Sequence, residues 1–181
     1  QVLGNNGATS LLHASSYGHL DIVKYLLLQI KADIRATSKD NDNSLHCASG
    51  GGHLEIVKYL VTEASLDIEA KGNNGSTSLT HASYHGHLDI LKYLLLEAKS
   101  DIRATSKDND NSLHCASGGG HLEIVKYLVT EASLDIEAKG NNGSTSLTHA
   151  SYHGHLDILK YLLLEAKSDI RATGKDNDNS L

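Results

Sequence analysis

Apolar residues recur along this chain in short helical stretches separated by glycine and asparagine. In Leu88-Asp89-Ile90-Leu91-Lys92-Tyr93-Leu94-Leu95-Leu96, the positions Leu88, Leu91, Leu94 and Leu95 fall at helical spacing and predict an amphipathic helix. Ahead of it, Thr77 is placed as an N-cap for a shorter helix from Ser78 to about His85, which Gly86 would close. Gly72-Asn73-Asn74-Gly75 is turn chemistry, because Asn and Gly tolerate the positive φ of tight turns. Lys99 to Thr105 leads out towards the next turn. The unit therefore reads turn, short helix, tight reversal, longer helix, loop. Neither helix would be stable alone, since isolated helices below about 12–15 residues are marginal in water. Packing between units must hold them.

The neighbouring unit follows the same grammar with different residues. Lys107-Asp108-Asn109-Asp110 is its turn, Asn111 its cap and Ser112 to Ser117 its first helix; Gly118-Gly119-Gly120 then leads through His121 into the second helix. Leu11, Leu45, Leu79, Leu113, Leu147 and Leu181 mark a constant step of 34 residues. Residues Ser44 to Asn111 and Ser112 to Asn179 are the same 68-residue text apart from Ser106 against Gly174. A period of this size signals stacked repeats, each burying its apolar face only against its neighbours. Five units are expected, at about 4–37, 38–71, 72–105, 106–139 and 140–173, followed by the start of a sixth. They form a single array over residues 1–181.

Composition narrows the function classes. Phe, Trp, Met and Pro are absent, so Leu, Ile, Val and Ala must build the core. A net charge of −6, with Lys and Arg interleaved among Asp and Glu, argues against nucleic acid, which needs a basic stripe. No apolar run approaches the roughly 20 residues of a membrane span. Cys47 and Cys115 occupy the same position two units apart. At roughly 10 Å per packed helix layer they lie beyond disulfide reach, and free thiols slightly favour an intracellular setting. The chain starts without Met and closes on the opening of a further unit, as a piece of a longer protein would.

Thr77-Ser78-Leu79-Thr80-His81-Ala82-Ser83-Tyr84-His85-Gly86-His87 resembles the ankyrin-repeat pattern T-P-L-H-x-A-A-x-x-G-H at its Thr, Leu, first Ala, Gly and last His. Asn111-Ser112-Leu113-His114-Cys115-Ala116-Ser117-Gly118-Gly119-Gly120-His121 also keeps the first-helix His, and Asp101-Ile102-Arg103-Ala104 resembles the family's exit segment. The likeness runs through all five units and implies an all-α ankyrin-repeat solenoid of helix-turn-helix units with hairpin-like turns. Two departures stand out. Serine replaces the family's proline throughout (Ser10, Ser44, Ser78, Ser112, Ser146), which loses the preset φ at the first helical position and predicts lower stability. The unit is also one residue longer than the commonest spacing. The addition falls between Lys92 and Asp101, implying a longer second helix or a bulged turn.

The 12 histidines invite a metal reading, since His81 and His85 at i and i+4 can share a zinc ion given a third ligand. Against it, His19, His53, His87, His121 and His155 match the family's Gly-His, where the imidazole is expected to brace the helix reversal; His46 and His114 match its first-helix His. His13, Cys47, His81, Cys115 and His149 share one position and should form a half-polar column along the stack. Asp108-Asn109-Asp110-Asn111 opens like a calcium loop but lacks the Gly and Glu that complete one. The glycine runs lack the Gly-Lys-Ser/Thr of a phosphate cradle. Asn74-Gly75-Ser76 and Asn142-Gly143-Ser144 fit the glycosylation sequon, relevant only to a secreted chain. Five equivalent units single out no catalytic triad. No catalysis, metal or cofactor is expected.

The resemblance implies a partner-binding face made of hairpin tips and the exposed ends of the first helices. Carried onto this sequence, it comprises Asn73, Asn74, Ser76, Tyr84 and His85, with Asn141, Asn142, Ser144, Tyr152 and His153 as copies. The intervening unit presents Lys107, Asp108 and Asp110, and a bare gap at Gly118 and Gly119. The first unit has Ser16-Tyr17 in place of Tyr-His, so Tyr17 joins the set. Two functions follow: a protein-interaction scaffold with a periodic concave surface, or a structural array, a self-assembling rod or filament segment of a longer protein. The partner would be another protein or copies of the chain itself, with no nucleic acid and no membrane span. A designed array is a third possibility, against which stands the drift of the first unit (Leu12 for Thr80, Val23 for Leu91, Gln29 for Glu97).

Overall fold

The computed structural model describes residues 9–168. Leu181, Gly174, the first turn at Gly4-Asn5-Asn6-Gly7 and the opening of the sixth unit lie outside them. The described residues form five helix pairs: α1 (Ser10–Ser16) and α2 (Leu20–Leu28), α3 (Ser44–Gly51) and α4 (Leu54–Thr62), α5 (Ser78–His85) and α6 (Leu88–Leu96), α7 (Ser112–Gly119) and α8 (Leu122–Thr130), α9 (Ser146–Tyr152) and α10 (Leu156–Lys160). The last runs on into a π-helical turn at Tyr161–Glu165. First helices pack against first helices of adjacent repeats, and each second helix against its own first helix.

Local chemistry places the helix ends. Thr77 accepts from the Thr80 N–H, and the Thr77 N–H donates back to Thr80 Oγ1 at 2.9 Å, a reciprocal capping box. Asn111 caps α7 in the same way, with His114 Nδ1 accepting from the Asn111 N–H at 3.2 Å. Gly86 ends α5 in the left-handed conformation (φ 88°), as the sequence predicts. The helix α7 runs further than expected, through Gly118 and Gly119, because Gly120 (φ 83°) supplies its left-handed terminus.

The extra residue of each unit makes a bulged turn, not a longer helix. Lys31, Ser65, Lys99, Ser133 and Lys167 all have φ between 54° and 65°, immediately beyond the second helices. The next N–H reaches back six residues, as from Ser100 to the Leu94 carbonyl at 2.8 Å, one residue wider than a Schellman closure. At the hairpin tips the left-handed position alternates between Asn41 and Asn109 (φ 62° and 63°) and Gly75 and Gly143 (φ 73° and 74°).

The core is a set of columns, one residue per repeat. Leu45, Leu79 and Leu113 stack with Ala48, Ala82 and Ala116 from the first helices, and with Ile56, Ile90 and Ile124 from the second. Each column buries its members on both sides, so a repeat contributes stability mainly at its two joints. On the second helices, Lys24, Lys58 and Lys92 place their ammonium groups 5.5, 6.0 and 5.0 Å from the rings of Tyr59, Tyr93 and Tyr127 in the next repeat. No helix among the described residues is long and apolar enough to cross a membrane.

Candidate functional site

The tips of successive hairpins are tied together. The Asn73 N–H donates to the Asp40 carbonyl at 2.6 Å, Lys107 N–H to Asn74 at 2.7 Å and Asn141 N–H to Asp108 at 2.7 Å. Side-chain amides reinforce two of these joints: Asn73 Nδ2 donates to the Lys39 carbonyl (2.8 Å), and Asn141 Nδ2 to that of Lys107 (2.6 Å). Asn41 and Asn109 return the favour towards Lys71 and Lys139. Asn73 and Asn141 therefore stiffen the tips, while Asn74 and Asn142 point their exposed side chains outward between them. Ser76 and Ser144 are half-buried behind the turn; Lys107 and Asp108 are exposed on it.

Asp110 is less exposed than Lys107 and Asp108 beside it. It is half-buried, and its Oδ1 lies 3.5 Å from His149 Nε2 of the next repeat; Asp42 and His81 make the same pair at 3.5 Å. Burial opposes ionisation of both aspartates, but the hydrogen bond and charge of the paired histidine outweigh it and hold each carboxyl below its ordinary value. The His81 ring also meets His46 at 5.3 Å between centroids, and His149 meets His114 at 5.3 Å. Burial drives His46 and His114 below 6.5, which keeps them neutral. Both ring nitrogens of His46 are occupied, Nδ1 accepting from the Asn43 N–H (3.1 Å) and Nε2 donating to the Ala70 carbonyl (2.9 Å). That leaves the ring no lone pair for a metal, and among the described residues no group of three or more metal-binding side chains converges.

The Gly-His histidines act between repeats, and the reversal within their own unit is made by glycine. His53, His87, His121 and His155 donate Nε2–H at 2.9–3.0 Å to the carbonyls of Ser16, Gly50, Tyr84 and Gly118, each in the preceding repeat. The half-polar column of Cys47, His81, Cys115 and His149 is present, all four half-buried; His13, at its head, is exposed. Burial, with a nearby aspartate, pushes the Cys47 thiol up to about 11 and that of Cys115 to about 12, so neither is a nucleophile at neutral pH.

The Tyr-His pairs stand out from the surface. Tyr17, Tyr84 and Tyr152 are 69%, 48% and 87% exposed, and His85 and His153 are exposed beside the last two. Tyr84 and Tyr152 sit edge-on to His85 and His153 at 5.2 and 5.0 Å, so each pair is a preformed aromatic corner. The gap expected at the glycines is not bare. A Cβ on Gly50 would lie 3.3 Å from the His85 ring, and one on Gly118 3.5 Å from the His149 and His153 rings. The glycines are a ledge against which the next repeat's imidazoles rest.

The family model for ankyrin repeats (three copies) matches residues 11–106 and 94–174, across almost the whole described array. The chain belongs to the ankyrin-repeat family. Ankyrin repeats are generally protein-interaction modules and typically non-enzymatic, and the paired helices, capping and Gly-His features above are those of this fold. No curated protein matches the chain. What sequence reasoning missed is the set of joint contacts, Asp42 with His81 above all. Asp and His recurring at a separation of 39 residues, one repeat plus five, were the available signal.

Proposed function

We propose that this ankyrin array is a non-enzymatic protein-interaction scaffold whose binding face is formed by the hairpin tips and the exposed ends of the first helices. One observation carries this reading. The apolar bulk of the repeats is buried in columns, yet Tyr17, Tyr84 and Tyr152 stand exposed at the ends of α1, α5 and α9. Tyrosine brings large contact area at low entropic cost and is enriched among interface anchors. Tyr84 and Tyr152 recur at one position 68 residues apart, with Tyr17 at the position of His85, and this recurrence suits a partner that is itself periodic or binds multivalently.

The test is selection of displayed peptides or small domains on the immobilised array, followed by binding to Tyr17→Ala/Tyr84→Ala/Tyr152→Ala. Loss of binding with an unchanged thermal midpoint supports the reading. Full retention of binding moves the contact surface elsewhere.

The near-identity of the two-repeat units favours a second reading, a structural array valued for its length and period. Stiffness and extension would then matter more than the tyrosines, and the triple alanine variant would leave the function intact.

A further inference from the structure

The histidines are confined to one layer of the molecule. All 12 lie on first helices or at the reversals that follow them, and none lies within a second helix. Fixed negative charge gathers on the other layer: in the fourth repeat, α8 and its exit carry Glu123, Glu131, Asp135 and Glu137 against Lys126 alone. The hairpin tips each expose a lysine instead, at Lys39, Lys71, Lys107 and Lys139. Protonation therefore adds positive charge to the first-helix layer and not to the acidic second-helix layer.

From the second repeat to the fifth, eight of the ten histidines are committed. His46, His53, His87, His114, His121 and His155 hold backbone groups, and His81 and His149 pair with Asp42 and Asp110. The other two, His85 and His153, make no ring hydrogen bond or ion pair among the described residues. They occupy the same position 68 residues apart, each beside an exposed tyrosine. The third repeat has described neighbours on both sides, so the open imidazole of His85 belongs to the stack itself.

Each of the two heads a row of imidazoles. The His85 ring lies 6.4 Å from His81, which lies 5.3 Å from His46 and has its Nε2 3.5 Å from Asp42 Oδ1. The groups facing His85 are His81 and Tyr84 on α5, His87 at the start of α6 and His121 at the start of α8; α3 offers only the backbone of Gly50. No carboxylate is among them, and Asp42 is held by His81. Burial, with the imidazoles of His81, His87 and His121, keeps His85 below its ordinary value, so the ring is neutral at neutral pH. His153 repeats the arrangement, faced by His149, Tyr152 and His155 with Gly118 behind, and with His114 and Asp110 beyond His149.

We infer that the Tyr84–His85 and Tyr152–His153 corners capture an acidic polypeptide segment, each imidazole taking up a proton from solvent as a carboxylate of the partner docks on it. This rests on the reading of the hairpin tips and first-helix ends as the binding face, and adds the chemistry of the partner. The carboxylate supplies the counter-charge that the row lacks, and the imidazolium donates a charge-assisted hydrogen bond to it. The tyrosine ring adds contact area, and the tip lysines add attraction of the same sign. A glutamate stays ionised down to about pH 4.3 and an imidazole charges below about pH 6.5, so binding tightens in the interval between. At roughly 10 Å per repeat the corners stand about 20 Å apart, within reach of an extended ten-residue peptide at about 3.3 Å per residue.

The test is fluorescence anisotropy of a labelled decaglutamate peptide with the full chain between about pH 7.5 and pH 5, with circular dichroism to confirm helix content at each pH. Binding should tighten roughly tenfold or more across that range, as uptake of a proton on binding requires. Calorimetry near pH 6.5 in buffers of different ionisation enthalpy should read that uptake directly. His85→Gln/His153→Gln should lose most of the gain. His13→Gln/His19→Gln, which removes two exposed imidazoles of the first repeat, should keep it. Absence of proton uptake overturns the proposal, and so does an equal loss in the two double variants, which would make the effect one of net charge. Tighter binding of an oligothymidylate of equal charge overturns it in favour of nucleic acid. A chain that binds tyrosine-dependent partners at neutral pH yet ignores decaglutamate sinks the acidic-segment proposal and leaves the binding-face reading standing; retention of all partners by the triple tyrosine variant sinks that reading instead.

Discussion

The two kinds of joint in this array hold by different means. Where a glycine-type repeat follows a Tyr-His repeat, as between α5 and α7, the contact is backbone against backbone, with Gly119 seated on the Tyr84 carbonyl and His121 bonded to it. Where a Tyr-His repeat follows, as between α7 and α9, side chains dominate: His149 pairs with Asp110, its ring meets His114, and Asn141 and Asn109 cross-link the tips. The first joint is rigid in what it accepts, because a carbonyl oxygen fixed in a helix end cannot move aside. The second is adaptable but carries titratable groups. The same fold therefore alternates a steric joint with an electrostatic one, and this gives the 68-residue period a physical cause.

The comparison breaks most sharply at neighbouring glycines. Gly119→Ala drives a methyl into the Tyr84 carbonyl and against the His121 ring, and should cost roughly 3 kcal/mol, in the range of severe overpacking. Gly118→Ala, one residue away, meets only imidazole edges at 3.5 Å and should be neutral or stabilising by up to about 1 kcal/mol through helix propensity. Urea midpoints of the two variants test this; equal effects would remove the distinction between the joints.

Acidification should act most strongly on the electrostatic joint. His46 and His114 have folded values below 6.5, so the unfolded chain takes up protons first, and stability falls as pH drops through about 6.5. Asp42 and Asp110 are lowered too, so their stabilisation is present above the ordinary carboxylate value and is lost as pH falls through their folded values. Both contributions have the same sign. The thermal midpoint should decline in two stages, one beginning near neutrality and one at strongly acid pH. In His46→Gln/His114→Gln the first stage should shrink.

Smaller effects follow at the caps and pairs. Ser44, Ser112 and Ser146 bury hydroxyls with no hydrogen-bond partner at the first helical position. Asn111 before Ser112 is already extended (φ −94°, ψ −178°), as a residue preceding proline must be. Ser112→Pro should therefore stabilise by about 0.4–1 kcal/mol, read as a raised thermal midpoint. Asp110→Asn should cost less than about 1 kcal/mol at neutral pH, because the 3.5 Å separation of the pair is long and both side chains keep some contact with solvent. A double-mutant cycle with His149→Gln isolates that coupling.

Much of this was readable from local sequence. Thr77, Asn111, Gly86 and the leucine spacing located helices to within a residue or two, because capping and amphipathicity are decided within four residues. The helix α7 outran its expected end because three consecutive glycines gave no local sign of which one would turn left-handed. The aromatic corners were readable as residues, since Tyr84 and Tyr152 have no core column to join. Their glycine neighbours were misread as empty space, because what fills that space comes from the next repeat.

The sequence by itself determined the repeat, its two alternating types, the helix starts and the position of the extra residue. Each of these depends on interactions within one unit or on simple recurrence. The tertiary structure alone decided that His121 reaches back 37 residues to Tyr84, that Asp110 pairs with His149 across a joint, and that Gly119 is constrained where Gly118 is not. Those outcomes turn on ångström-scale separations between stacked helices, which the stacking itself sets and no local pattern encodes.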